Sequence, residues 1–584
     1  MAGGLRRHPL RPRRGAAHPR LPACCPALRA AALLGLAVIV LAGCATGGVE
    51  NDGAEAPPPA ANGDDAEPGP PREPLVDDPD GGDDDSRTLR WAIREPGEIV
   101  PPLATDADAL QVVDALFEGL TVLDADGAPS PGVATTWRSD DDARLWTFFL
   151  DSDARFHDGT PVTSADIRAS WEAGIRLGAQ PPHLRDVIGH DQLAAGEADH
   201  LSGLLTPDET TVQVLLSRPR GDFATVVAHP ALAPVANAAW HDDPRAYAQD
   251  PVGNGEFALA EPWSPGDFLR LHRTDPGVHP RAVDEVVFRV TDEATGYVAF
   301  QQGRVDVTTV PAGALDQARA EFGERDPDDD GPGIVQEPTL AVYALGMDLD
   351  QPPFDNVTVR RGLSFAVDRE AIAESAFEGA ATPARTMASP AVPGAPASTC
   401  PSCLHVPSSA ERIFEHIGVE QMTLWIDEDG GHDEVAARLQ ADLDEVGVDL
   451  RVRRPPFANF VAAVESGAAT LYRAGWRADH PTLDDALAPV YHARFADGTM
   501  ATGNPVGYRD DEVNHLLDEA AAITDPEQRA GRFASAERIA LGRDLAVIPL
   551  VTLEERLAVG ERIDGGFTLD PAGRVDLRDV RLAP

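Results

Sequence analysis

Residues 114–171 constrain the fold of this chain more than any other stretch. An apolar helical turn is followed by two short strands, the second with apolar residues at every other position, and the turn 124–127 lies between them. A tight turn at 157–159 comes next, and Thr163 or Ser164 is well placed to cap the helix that follows. Periodicity and turn chemistry therefore predict a helix, a hairpin and a capped helix.

The exact residues of this stretch also form a series of short motifs. It contains FEGL (117–120), DADG (124–127), PGVATTW (131–137) and FHDGTPVTSAD (156–166). This order resembles the signature of the family 5 extracellular solute-binding proteins, the peptide-, dipeptide- and nickel-binding receptors of ABC importers. The sequence departs from the family pattern mainly at Asp151 and at Ser164-Ala165.

Later motifs keep the resemblance in collinear order from about residue 88 to 552. They include DPVGNGEF (250–257), GRVD (303–306) and PFDNVTVRRGLSFAVDR (353–369). The resemblance implies an α/β, two-lobed periplasmic-binding-protein-like fold (type II) of the large class with an extra subdomain. Val100-Pro101-Pro102 departs from the family pattern in a loop that faces the ligand cleft in relatives, and Asn254 and Glu256 depart from it in the turn 250–257.

The N-terminus reads as a bacterial lipoprotein leader. Residues 1–29 hold seven arginines and no acid, and the apolar run 30–41 is shorter than the roughly 20 residues that a membrane-spanning helix needs. The sequence Leu41-Ala42-Gly43-Cys44 matches a lipobox, so we expect residues 1–43 to be removed and Cys44 to be lipidated. Two acyl chains would anchor the protein durably. An ordinary signal peptide with a chance cysteine is the alternative.

The remaining chain divides into a tether and a body. Residues 45–86 are acidic and rich in proline and glycine, with almost no large apolar side chain, which predicts a disordered tether. The body is residues 87–584. We expect a first lobe at about 88–340 and 548–584, containing an inserted subdomain at about 132–249, and a second lobe at about 341–547. The chain should cross between lobes near residues 250 and 340 and return near 548.

Composition excludes one class of partner. The chain has 96 acidic residues against 49 basic ones, all arginine, giving a net charge of -47. Such a surface repels nucleic acid, so we expect no nucleic-acid partner. A general acidic bias that favours solubility in salt explains the charge more simply than a field that attracts cationic ligands.

The stretch 471–485 holds the main site candidates. In peptide-binding relatives the matching Trp-x-x-Asp segment lies at the lobe interface, and the resemblance implies that Asp479 pairs with a peptide α-ammonium and that Trp476 packs against the ligand. Lobe closure would strengthen such a pair by removing water. Alternatively, Asp479 caps the turn before Pro481 and Trp476 is a core residue. Tyr508 is a further candidate for the pocket wall.

The remaining polar candidates are read as structural. Cys400 and Cys403 lie on a Pro/Ala/Ser-rich loop and outside the cytoplasm would form a local disulfide, since neither a thioredoxin-like setting nor a second zinc-ligand pair accompanies them. His157-Asp158 reads as a turn, without an accompanying nucleophile. The chain contains no G-x-S-x-G, H-E-x-x-H or phosphate-loop motif. We therefore expect no metal, no cofactor and no enzyme activity.

The leading hypothesis is a monomeric binding lipoprotein on the outer face of the cell membrane. It would capture oligopeptides or dipeptides and deliver them to an ABC permease and ATPase complex. Within the same fold, the ligand could instead be a nickel chelate, a sugar or another small solute. From other classes, a ligand-sensing lipoprotein without transport and a secreted hydrolase remain as alternatives.

Overall fold

The computed structural model describes residues 87–178, 182–237, 240, 244–266, 268–275, 282–325, 331–428, 430–496, 503–504 and 506–583. The predicted leader (1–43), the lipidation site Cys44 and the predicted tether (45–86) lie outside these residues. Within the described ranges, no helix combines the length and the apolar character that crossing a membrane requires.

The fold is mixed α/β, as predicted. The strands are β1 (Thr88–Ile93), β2 (Thr121–Leu123), β3 (Pro129–Pro131), β4 (Ala134–Ser139), β5 (Leu145–Leu150), β6 (Leu204–Asp208), β7 (Thr211–Leu215), β8 (Phe257–Leu259), β9 (Leu269–Arg273), β10 (Glu285–Val290), β11 (Val307–Thr309), β12 (Gly333–Met347), β13 (Ala381–Pro383), β14 (Gln421–Trp425), β15 (Asp449–Arg453), β16 (Leu471–Arg477) and β17 (Ile548–Val559).

Helices cover the sheets and fill the connections between strands. The α-helices are Ala107–Leu116, Ser164–Leu177, His190–Ala194, Phe223–Val226, Pro244–Gln249, Glu293–Gln301, Leu315–Phe322, Val357–Ala366, Arg369–Ala376, Pro407–Ile417, Asp433–Glu445, Phe457–Glu465, Leu483–Tyr491, Asp511–Ala521 and Pro526–Glu537, and a π-helical segment follows at Arg538–Arg543.

One sheet runs through both lobes, in the order β15-β14-β16-β12-β17-β11-β1-β10-β9-β8. Strands β12 and β17 are its longest members, at 15 and 12 residues, and they pair antiparallel from Gly333↔Val559 to Leu345↔Ile548. The side of β11 is the first lobe and the side of β16 is the second lobe. The register of the pair shifts between Pro338 and Val342, so the ladder is interrupted where the chain passes from one lobe to the other.

The inserted subdomain has its own sheet, in the order β4-β5-β7-β6, and its own core. Alternate residues of β5 and β7 point into that core, which contains Phe148, Trp171 and Phe223. The helix Ser164–Leu177 begins at Thr163, whose backbone N–H donates to the Asp166 carboxylate at 2.8 Å in a capping box. The cap predicted at Thr163 or Ser164 is thus at Thr163.

The chain does not cross between the lobes near residue 250, contrary to expectation. Residues 250–257 instead lead from the inserted subdomain back to the first lobe, beside the end of the helix Ala107–Leu116. A Cβ on Gly253 would lie 1.9 Å from the Leu116 carbonyl oxygen, so only glycine permits this approach. His157 supports the same segment, since its Nε2 lies 3.0 Å from the Gly255 carbonyl oxygen.

Candidate ligand-binding cleft

Asp479 lies on the turn between β16 and the helix Leu483–Tyr491, on the second lobe. The carboxylate that holds this turn belongs to Asp485, which accepts hydrogen bonds from the backbone N–H of Asp479 at 2.5 Å and of His480 at 3.0 Å. Thr482 caps the helix by accepting from the Asp485 N–H. The turn-capping role considered for Asp479 is therefore filled by Asp485, and the Asp479 side chain is left available.

The Asp479 carboxylate makes no hydrogen bond or ion pair with the residues that the structure describes, although it is only partly exposed. Burial raises its pKa well above the ordinary value, and the negative charge of Asp485 raises it further. Arg185 of the inserted subdomain and Arg477 act in the opposite direction. The group is a carboxyl whose ionised form lacks a close cation.

A strip of charged side chains continues from Asp479 towards the first lobe. Burial lowers the pKa of Arg477, and the charges of Glu555 on β17 and of Asp479 oppose that shift. On the first lobe, Arg94 Nε donates to Asp108 Oδ2 at 3.0 Å, and Asp108 in turn raises the pKa of Glu555 after the larger effect of burial. The two lobes thus face each other across alternating charges at the level of the connecting strands.

Trp476 stands beside this strip, at the end of β16. Its ring is partly buried against the core of the second lobe, and its Nε1 donates to the Asp485 carbonyl oxygen at 2.7 Å. It also lines a cavity between the second lobe and the inserted subdomain. Trp476 and Asp479 are therefore brought together, and Trp476 combines the core role with a position on a cavity wall.

Tyr508 lies elsewhere. It is 6% exposed within the core of the second lobe, and its hydroxyl donates to Asp544 at 2.8 Å. Burial raises its pKa. The structure does not bring this residue to Asp479 and Trp476, so its assignment to the pocket wall stays a prediction without positional support.

Sequence reasoning missed a network of ion pairs between the inserted subdomain and the second lobe, which we call the interlobe network. Arg218 contacts Asp484 at 2.6 Å and Asp186 at 2.8 Å, and Arg220 bonds Asp222 at 2.9 Å. Burial alone would raise the pKa of Asp484, but the two arginines hold it well below its ordinary value. The sequence offered only Arg-Pro-Arg on a loop, a spacing that indicates no particular partner.

Three histidines extend this contact. His183 and His229 belong to the inserted subdomain and His480 to the second lobe; His183 and His480 are buried, and His229 is half-buried. His183 Nδ1 lies 3.0 Å from His480 Nε2, and the His183 and His229 ring centroids are 4.1 Å apart. These three histidines are far apart in the sequence, so the sequence alone does not indicate that they form a cluster.

The remaining predicted features lie away from the cleft. Val100 is fully buried in the subdomain core, and Pro101–Leu103 forms a 3₁₀ turn, so this departure from the family pattern acts in packing. Cys400 and Cys403 form a disulfide and are each 2% exposed. Among the described residues, no group of three or more His, Cys, Asp or Glu side chains is placed to hold a metal ion.

Two α/β lobes that share a sheet, are joined by paired strands and face each other across a charged cleft define a two-lobed binding protein of the periplasmic type. The profile of "Bacterial extracellular solute-binding proteins, family 5 Middle" matches residues 128–497. The chain belongs to that family, and it is a substrate-binding protein of the type that serves ABC importers.

Relatives align over most of their length. The probable deoxycholate-binding periplasmic protein YgiS of Escherichia coli K12 is 27% identical over 482 residues, which are 78% of this chain and 86% of that protein. The periplasmic oligopeptide-binding protein OppA of the same strain is 26% identical, with coverages of 80% and 87%. The dipeptide-binding protein DppE of Bacillus subtilis 168 is also 26% identical, with coverages of 83% and 90%.

Solved structures share the fold. The unliganded open form of the periplasmic murein tripeptide binding protein MppA superposes with a TM-score of 0.74 at 22% identity, covering 85% of this chain and 98% of that one. The clavulanic acid biosynthesis oligopeptide binding protein 2 gives a TM-score of 0.73 at 24% identity, covering 85% and 95%.

Proposed function

We propose that this protein captures peptides with a free amino terminus outside the cytoplasm and delivers them to an ABC permease. The observation that carries the proposal is the Asp479 carboxylate, which has no hydrogen-bonding or ionic partner among the described residues and lies on the turn beside the cavity wall formed by Trp476 and Asp485. An α-ammonium is a group that such a carboxylate binds, with a charge-assisted hydrogen bond. The names of OppA and DppE, and a Haemophilus influenzae OppA structure in complex with the peptide RPPGFSPFR, support the ligand class.

Ligand binding and lobe closure are linked through the charge of Asp479. Before binding, Asp479 sits in surroundings that favour its neutral form. A ligand ammonium supplies the missing positive charge, so the carboxyl group ionises, and closing the lobes over the pair strengthens it by removing water. Contacts made only in the closed form drive the motion. The interrupted ladder between Pro338 and Val342 is the place where β12 and β17 would bend.

In this proposal the protein acts by binding alone, as a monomer that takes no part in chemistry. Cleavage after residue 43 and lipidation of Cys44 would hold it at the outer face of the membrane, near the permease. Loss of labelled-peptide uptake in cells lacking the gene would support transport, while normal uptake would indicate a sensor.

The ammonium assignment is tested with Asp479→Asn, which keeps the shape of the side chain and removes its charge. Isothermal titration with Ala-Ala-Ala should show about a tenfold to hundredfold loss of affinity, the range for a charged hydrogen bond worth about 1.5–3 kcal/mol. N-acetylated Ala-Ala-Ala should bind the variant and the parent protein about equally. The matched control is Asp449→Asn on an exposed position of β15, which should leave both affinities unchanged.

Equal losses for the free and acetylated peptides would contradict the ammonium assignment. Failure of the parent protein to bind either peptide would contradict the peptide ligand. A small solute would then be favoured, since relatives include YgiS, named for deoxycholate, and AgaA, solved with agropinic acid. Native mass spectrometry of residues 87–584 distinguishes these cases, because co-purified peptides give a spread of masses and a small solute gives one.

A further inference from the structure

A cavity of about 50 Å³ lies between the inserted subdomain and the second lobe, beside the turn that carries Asp479. A buried water needs roughly 10–15 Å³ by this measure, so the cavity holds about three to five waters or a group of similar size. Arginines outnumber aspartates in its lining, in a protein with a net charge of -47. They are Arg185, Arg218, Arg220, Arg494, Asp186, Asp484 and Asp485.

The aspartates at this cavity are already engaged. Asp484 accepts from both terminal nitrogens of Arg218, at 2.6 and 3.3 Å. Asp186 contacts Arg218 at 2.8 Å and Arg220 at 3.3 Å. Asp485 receives the two backbone N–H groups of the Asp479 turn. Acceptors in the cavity wall are thus used within the protein.

The arginines have donors to spare. The Arg185 side chain makes no hydrogen bond or ion pair with the described residues, although its charge acts on Asp479. The guanidinium of Arg494 comes no closer than 3.8 Å to a described carboxylate, that of Asp518. Burial and the neighbouring charge of Arg218 lower the pKa of Arg494, and the Nε of Arg218 is buried without a described partner. The three aspartates of the wall are thus used by other groups, and Arg185 and Arg494 have no described carboxylate within hydrogen-bonding distance.

We propose that the cavity is a subsite for a carboxylate of the ligand, held by Arg185 and Arg494 beside the ring of Trp476. A carboxylate presents two oxygens in one plane, which match the paired donors of a guanidinium. The inference rests on the proposed function, because it needs the ammonium at Asp479 to place the ligand. The cavity and that turn share Asp485, so a ligand with both charges engages both groups.

Two parts of a peptide could supply this carboxylate: an acidic side chain on the first residue, or the C-terminus of a short peptide. Four tripeptides separate them, namely Asp-Ala-Ala and Asn-Ala-Ala, each with a free or an amidated C-terminus. Affinities are measured by isothermal titration on the parent protein and on Arg185→Gln and Arg494→Gln. Arg451→Gln, on an exposed arginine of β15, is the matched control, and thermal melting verifies that each variant is folded.

We expect removal of one of the two carboxylates to cost at least about tenfold in affinity for the parent protein and the control. In both cavity variants, the affinities for the peptides with and without that carboxylate should differ by less than about threefold. Both variants should bind the peptide that lacks the carboxylate as tightly as the parent protein does. Which carboxylate shows the effect identifies the source.

Other results would overturn the subsite. If no carboxylate matters to the parent protein while the peptides bind, the subsite fails and the proposed function stands. If the variants weaken all four peptides equally, the arginines serve the structure of the site instead of recognition. If none of the four binds, both proposals fail.

Discussion

Among single residues, Asp306 shows how a buried carboxylate can join distant parts of the chain. It is 3% exposed and accepts from the backbone N–H of Arg90 at 2.9 Å, from the Arg90 side chain at 2.8 Å and from Arg562 at 3.0 Å. These contacts tie β1 and the C-terminal segment to the residue preceding β11. The family-like motif GRVD ends on this aspartate, so its role is architectural.

Asp306→Ala should therefore destabilise the first lobe by about 2–3 kcal/mol, because the arginines and the backbone donor lose a buried acceptor. The loss of stability is limited because both arginine side chains retain some solvent contact. Two measurements test this: chemical denaturation gives the free energy of unfolding, and hydrogen exchange gives the protection of the β1 amides. Asp316→Ala, at a carboxylate that is 97% exposed, should change stability by less than about 0.5 kcal/mol. A comparable effect of the two substitutions would refute this account.

At this scale, sequence reasoning found some site residues and missed others for identifiable reasons. Asp479 and Trp476 belong to one contiguous segment that matches the family pattern, so both could be identified as site candidates from the sequence. Asp485 was missed as the turn-holding carboxylate because three aspartates share that stretch and only geometry tells which one faces the N–H groups. Arg185 could not be predicted as a site residue, because its charge acts on Asp479 only when the inserted subdomain contacts the second lobe.

Among the elements, the contact between the inserted subdomain and the second lobe depends on three neutral histidines. Burial lowers the pKa of His183, His229 and His480 well below the ordinary value, and each neighbouring imidazole lowers it further. Arg220 acts in the same direction on His183 and His480, and Arg574 on His229. Asp484 opposes the shift at His480. In the separated state these rings would titrate near 6.5.

The contact should therefore be fully present above about pH 6.5 and weaken as the pH falls, because the separated state binds more protons. The free energy that stabilises the contact falls by at most about 1.4 kcal/mol per pH unit for each imidazole that becomes charged. The Gly221 N–H donates to the Ala521 carbonyl oxygen at 2.7 Å across this contact, so its hydrogen-exchange protection factor reports the change. His183→Gln should reduce the pH dependence and His416→Gln, on an exposed helix position, should not. A protection factor that is constant from pH 7.5 to 5.5 would rule the mechanism out.

For the whole molecule, the net charge of -47 carries a consequence for stability. Like charges on a compact body repel each other, and salt screens them beyond about 10 Å at 0.1 M. The melting temperature should rise between about 20 and 500 mM NaCl, by about 1 °C for each 1 kcal/mol of repulsion removed from a body of this size. Sucrose at equal osmolality serves as the uncharged comparison. A fall in melting temperature with salt would mean that close pairs such as Arg218–Asp484 outweigh the general repulsion.

The overall architecture could be anticipated because its motifs are local and collinear, whereas the route between lobes could not. The glycines at 253 and 255 indicate that two backbone segments approach closely, but they do not indicate which segments these are. A return from a subdomain to its lobe and a passage between lobes therefore have the same sequence pattern. The first-lobe halves of the long strands β12 and β17 lack a clear apolar strand pattern, since charged residues interrupt both and β12 also contains Pro338.

The placement of β17 also sets an order of assembly. Its first residues, Ile548 to Val551, complete the core of the second lobe, and its last three pair with β11 of the first lobe. Both lobes therefore need the same strand, which leaves the ribosome after all the other strands described here. A nascent chain cannot complete either core before β17 has been made, so both lobes reach their final fold only after that point.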